Sequence, residues 1–222
     1  MNSQLEIAFE QLTSHYGRRM RAAAPDSFVA LICSILDEAC DRPRAVEVLE
    51  NLSAAGVIDV RALSDASRDE LSEWMAPAGN AQKRAERLRR LAAFVVDRYE
   101  GDVDAMLAAD AESLREELLA IRGVGAETAD SVLLYAAGRP SFVVELAAHR
   151  VLKRHGWVEF DADNATIKEN VESSLARDPA RLAEFHDLLQ IVGREHCRKA
   201  PVCEGCPLAE LLPECGPLAP EF

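Results

Sequence analysis

The chain has 222 residues, 28% of them charged and 49% hydrophobic, inside the range of folded globular proteins and outside that of disordered ones. With 25 Lys+Arg against 38 Asp+Glu, the formal net charge is −13. That balance excludes indiscriminate binding of polyanions, because bulk affinity for nucleic acid rests on Lys and Arg.

The start, Met1-Asn2-Ser3-Gln4-Leu5-Glu6, has no basic region followed by an apolar core, so it does not read as a signal peptide. Apolar runs such as 28–33 are too short to span a bilayer. The expectation is a cytoplasmic monomer with no membrane partner.

The periodicity is helical from end to end. Leu5, Phe9 and Leu12 start one stripe. The run 28–36 is apolar on every side and predicts a buried helix, with Asp26 or Ser27 able to cap it. Leu88, Leu91, Ala92 and Val95 form another stripe, ended by Gly101. Leu114, Leu118, Leu119 and Ile121 lead to Arg122-Gly123-Val124-Gly125, after which Ala129, Val132, Leu133, Ala136 and Ala137 resume the pattern. Leu182, Phe185, Leu188, Leu189 and Val192 make the last long stripe. No run alternates over strand length, so the fold class is all-α, with roughly ten helices of ordinary length.

Two glycines around one apolar residue permit a tight hairpin. The amides of Gly123 and Gly125, with the start of the next helix, can form a concavity for an oxygen anion. Taken alone, Gly-x-Gly is more often an ordinary helix-to-helix turn. At the other end of the chain, Cys197, Cys203, Cys206 and Cys215 are separated by five, two and eight residues. Four thiolates so spaced can enclose a [4Fe–4S] cluster or a tetrahedral zinc. Positive charge gathers at 83–90, at Arg150, Lys153 and Arg154, and at Arg18, Arg19 and Arg21; such clusters are most often solvated faces.

The stretch 119–135, with Arg122-Gly123-Val124-Gly125-Ala126-Glu127-Thr128-Ala129-Asp130, resembles the helix-hairpin-helix of the endonuclease III superfamily of DNA glycosylases. Arg139-Pro140-Ser141-Phe142-Val143-Val144-Glu145 is similar to the segment that leads to that family's catalytic aspartate. Pro77-Ala78-Gly79 with 82–88 resembles a further family segment, and the cysteine cluster resembles the family's iron–sulfur loop, with different outer spacings. The wording Glu-Thr-Ala-Asp-Ser looks closest to the methylpurine (3-methyladenine) branch.

The resemblance implies a two-lobed helix-hairpin-helix fold. One lobe is 23–137 with the hairpin; the other is 1–22 plus 138–222 with the cluster. It also implies a base-excision enzyme acting on duplex DNA that contains a damaged, alkylated base. Members that also cut the strand carry a lysine where this chain has Glu127, and a carboxylate cannot form an imine. The family aspartate falls on Glu145, which keeps the carboxylate one methylene longer; the plain alternative is a capping carboxylate. DNA contacts are implied for Arg122, Gly123, Val124, Gly125, Lys83, Arg84, Arg150 and Lys153, and a lesion pocket for Asp37, Glu38 and Tyr135. The four cysteines are implied to hold [4Fe–4S], with zinc the alternative. Two other readings remain: a non-catalytic DNA-binding iron–sulfur protein, and a lyase that uses another lysine such as Lys153.

Overall fold

A computed structural model describes residues 2–18, 24, 26–36 and 42–218. Among them all regular structure is helical: α1 (Asn2–Tyr16), α2 (Ser27–Leu36), α3 (Arg42–Ala54), α4 (Val60–Asp65), α5 (Arg68–Trp74), α6 (Ala81–Tyr99), α7 (Val103–Ala108), α8 (Ala111–Ala120), α9 (Ala126–Ser131), α10 (Leu146–Arg154), α11 (Asn164–Ser174) and α12 (Pro179–Glu195). None is long and apolar enough to cross a membrane. The chain divides into two compact units, 23–139 and 1–22 with 140–222.

In the first of these, α2 is the central helix, with Leu31, Ile32, Ile35 and Leu36 fully buried. Asp26 starts it by accepting from the Val29 amide at 2.8 Å. The α6 stripe Leu88, Leu91, Ala92 and Val95 packs into the same core. Helix α6 ends at Tyr99, two residues before Gly101, and its cap Glu100 itself takes a left-handed conformation (φ 56°). After α9 the chain passes through one π-helical turn, Val132–Ala136, which no periodicity signalled.

The other unit packs Leu5, Phe9 and Leu12 of α1 and Phe185 of α12 into one core. The Phe9 and Phe185 rings meet edge-on at 6.1 Å, and Phe142 lies 6.2 Å from Phe185. Part of the acidity of the chain is used locally. Asp59, Asp102, Asp110, Asp163 and Asp178 each accept amide hydrogen bonds at a helix start, where the helix dipole favours negative charge.

Candidate active site

The segment 141–144 is buried and belongs to no helix or ladder. Its Phe142 amide donates to Glu172 Oε1 at 2.8 Å. Glu172 is in turn buried beside Lys168 (3.7 Å) and Arg177 (3.4 Å). Lys168 also donates to Ser141 Oγ at 2.5 Å. A buried ionic group is tolerated when it is paired and hydrogen-bonded in this way. The network ties the approach to Glu145 to α11.

Glu145 is the N-cap of α10. Its carboxylate accepts from the Ala147 amide at 3.2 Å and from the Ala148 amide at 3.3 Å. Burial raises its proton affinity above that of an ordinary glutamate, and the two amides with the charges of Arg150 and Arg194 only partly offset this. The capping role foreseen as the plain alternative is therefore present. A carboxylate in this setting can accept a proton from water or face a developing cation.

Helix α10 is held closely against α12. A Cβ placed on Gly193 would lie 2.3 Å from Ala147 Cβ, so only glycine allows this approach. Gly193 had no part in the sequence reading; a glycine interrupting the last apolar stripe was the available signal.

At the other end of α10 the implied basic patch is largely internal. Lys153 is 7% exposed and donates through Nζ to the Phe160 carbonyl at 2.7 Å. Arg154 is buried and donates to the carbonyls of Arg198 (2.5 Å) and Lys199 (2.9 Å) and to Cys197 Sγ (3.2 Å). Lys153 thus does not present its ammonium to solvent, contrary to the expectation of a DNA contact. Arg150 is half-buried near Glu145. Trp157 is core, stacked 4.4 Å from His155.

Cys197, Cys203 and Cys206 line one small cavity together with Arg154 and His196, and Cys215 is exposed outside that lining. Burial pushes the Cys206 thiol up, partly offset by a hydrogen bond from the Leu208 backbone and reinforced by the neighbouring Cys203 and Cys197 sulfurs. Among the described residues no three His, Cys, Asp or Glu side chains stand close enough to hold a metal ion. Four thiols are donors that an iron–sulfur cluster takes, but only three of them share the lining of this cavity and Cys215 does not join them.

The hairpin lies in the 23–139 unit. Val124 is buried, and its amide closes the turn on the Ile121 carbonyl at 2.9 Å. Gly123 takes φ 94°, whereas Gly125 is extended, so only the first glycine needs left-handed freedom. Arg122, Gly123 and Gly125 are exposed, and Glu127 is half-buried in the first turn of α9. Behind the hairpin, Arg115 of α8 grips Asp130 of α9 with two hydrogen bonds (2.8 and 3.3 Å).

From α6, Arg87 donates to the Gly123 carbonyl at 3.0 Å and Arg90 to that of Arg122 at 2.6 Å. Lys83 is exposed on an open groove shared with Arg68 and Arg122. Arg84 corrects the expectation of a DNA contact: it is 5% exposed and donates to the carbonyls of Ala78 and Gly79, holding the turn before α6. Tyr135 is half-buried in the π turn, and Asp37 and Glu38 lie outside the described residues.

Over residues 32–177 the chain matches the HhH-GPD superfamily base excision DNA repair proteins. It belongs to that family. A Methanocaldococcus jannaschii protein, provisionally named as a DNA repair glycosylase, is 32% identical over 204 residues, covering 91% of this chain and 92% of that one. Among solved structures, an endonuclease III–DNA covalent intermediate superposes with a TM-score of 0.75 at 22% identity, covering 95% of both chains. The Helicobacter pylori 3-methyladenine DNA glycosylase bound to 1,N6-ethenoadenine does so with a TM-score of 0.64, also at 22% identity, covering 86% of this chain and 97% of that one. These likenesses establish the HhH-GPD fold, which the methylpurine branch and endonuclease III share.

Proposed function

We propose that this HhH-GPD protein is a monofunctional DNA glycosylase that hydrolyses the N-glycosidic bond of an alkylated purine in duplex DNA. The observation that carries the reading is Glu145, a half-buried carboxylate at the start of α10 with its proton affinity raised by burial, where the sequence resemblance puts the family's acid. Once ionised it accepts a proton from the attacking water and stabilises positive charge on the sugar as the base leaves. An alkylated purine is a good leaving group, so no second strong acid is required. Hydrolysis without strand cleavage follows from Glu127, which cannot form an imine, and from Lys153, whose amine is committed to the Phe160 carbonyl.

The hairpin amides of Gly123 and Gly125 are the proposed phosphate contacts, with Lys83, Arg122 and Arg150 as added cations. Such contacts position a duplex without needing a basic chain. Cys197, Cys203, Cys206 and Cys215 are the proposed ligands of a [4Fe–4S] cluster, which when bound supplies a rigid tie for the C-terminal loop. Arg154 supports that loop from within, through the Arg198 and Lys199 carbonyls.

One observation favours a second reading, a DNA-binding protein without catalysis: both carboxylate oxygens of Glu145 already accept amides of their own helix. A panel of duplexes with defined lesions decides between the two. The glycosylase releases free base and leaves alkali-labile strands, whereas the second reading predicts binding with no base released.

A further inference from the structure

Two arginines of α6, Arg87 and Arg90, donate to hairpin carbonyls. Glu86 holds Arg90 at 2.7 Å and Arg89 at 3.3 Å, which leaves the Arg90 Nη1 free to donate to the Arg122 carbonyl. Arg87 donates to the next carbonyl, that of Gly123. The peptide groups here are trans, so each N–H points opposite to its own C=O. The carbonyl of Arg122 and the amide of Gly123 belong to one such group. Pinning the oxygen toward α6 therefore aims the Gly123 N–H away from α6. The next peptide is clamped at both ends, by Arg87 on its oxygen and by the Ile121 carbonyl on the Val124 amide. Among the described residues the Gly123 amide donates to no backbone carbonyl. Glycine at 123 is required by its backbone, which takes φ 94°; a Cβ there would meet Arg90 Nη1 only at an ordinary contact distance of 3.7 Å.

We infer that Arg90, seconded by Arg87, is a positioning residue for phosphate binding: it orients and polarises the Gly123 peptide so that its N–H meets a DNA phosphate. A cation on the carbonyl draws electron density through the peptide and makes the opposite N–H a stronger donor. The guanidinium acts through the peptide and does not touch the phosphate. This rests on the DNA-binding reading above and identifies the residue that sets the hairpin's grip.

The test compares the full-length protein with Arg90→Met, Arg90→Lys and Arg89→Met. Arg89→Met removes the same charge from the same helix and leaves the hairpin carbonyls untouched. Binding to a duplex carrying a tetrahydrofuran abasic analogue is measured across a salt series, and the Gly123 amide proton shift is read by NMR without DNA. Arg90→Met should bind about ten-fold more weakly than Arg89→Met, as expected for one weakened charge-supported hydrogen bond. Its salt slope should equal that of Arg89→Met, its Gly123 amide should move upfield, and Arg90→Lys should restore most of both. The inference is overturned if Arg90→Met binds like Arg89→Met with an unmoved Gly123 amide. It is overturned equally if Arg90→Met alone lowers the salt slope by about one, the sign of a direct phosphate contact. Failure of the wild type to bind the duplex would remove the DNA reading itself, which the DNA-free Gly123 shift registers separately.

Discussion

Replacing Gly193 with alanine tests how tightly α10, and with it Glu145, is held. The added Cβ would lie 2.3 Å from Ala147 Cβ and 3.3 Å from Ala147 Cα. Carbon atoms pack at about 3.5–4.0 Å, so the helices must part by roughly 1 Å or bend, because both obstacles are anchored to backbone. Alanine gains up to about 1 kcal/mol in helix propensity, while overpacking a contact as close as this one costs toward the upper end of the usual range, about 2–3 kcal/mol. The net loss is about 1–2 kcal/mol, or a fall in Tm of roughly 2–8 °C for a chain of this size. Ala147 is also the residue whose amide the Glu145 carboxylate accepts. A shift of about 1 Å there should lower base release by up to about 100-fold. Thermal and guanidinium unfolding of Gly193→Ala and of Gly193→Ala/Ala147→Gly reads the effect, and the second substitution should recover much of the loss by removing the opposing methyl. A Gly193→Ala protein as stable as the wild type would refute the packing argument.

Four further outcomes follow. Glu145 binds its proton more tightly in the folded chain than at its ordinary value of 4.5, so its contribution to stability is full below that value and is lost as pH rises to the folded value. Glu145→Gln should abolish that pH-dependent loss in urea titrations, and base release by the wild type should show an acid limb above the usual glutamate range. Arg115→Ala leaves the buried Asp130 carboxylate without its two-point partner and should destabilise by about 1–3 kcal/mol in denaturant unfolding. Borohydride treatment during turnover should trap no covalent DNA adduct, and a trapped adduct lost in Lys153→Gln would restore the lyase reading. Purified protein should be brown with broad visible absorption, lost in Cys203→Ser; a colourless protein with bound zinc would replace the iron–sulfur assignment.

Fold class and the helices with a long apolar stripe were legible because buried stripes leave a 3.6-residue period, as at Leu88, Leu91, Ala92 and Val95, all nearly or fully buried. Helices such as α3, α7 and α11 carried no stripe that the sequence reading used. The start of α2 was legible for a local reason, the Asp26 cap. What periodicity cannot carry is the fate of a long cation. Lys83, Arg84 and Arg87 are neighbours in sequence, yet one is exposed, one is buried under the Ala78 and Gly79 carbonyls, and one is tied to the hairpin. Lys153 and Arg154 likewise looked like a surface patch, and they satisfy buried carbonyls instead. Charge counts register the ammonium and guanidinium but not the unpaired carbonyls that claim them. The π turn at Val132–Ala136 lies within an apolar stripe whose pattern also suits an ordinary helix.

The net charge of −13 now reads as compatible with a DNA enzyme. Several acids are spent on helix starts, and the proposed phosphate contacts are amides aimed by arginines. The central claim is that Glu145 performs hydrolysis of a glycosidic bond. The most direct measurement is release of free base from duplexes carrying defined alkylated purines, by the wild type and by Glu145→Gln, with strands analysed before and after alkali. The account predicts base release by the wild type with scission only after alkali, and a loss of about 100-fold or more in Glu145→Gln with DNA binding retained. Equal base release by Glu145→Gln, or strand cleavage without alkali, would contradict it.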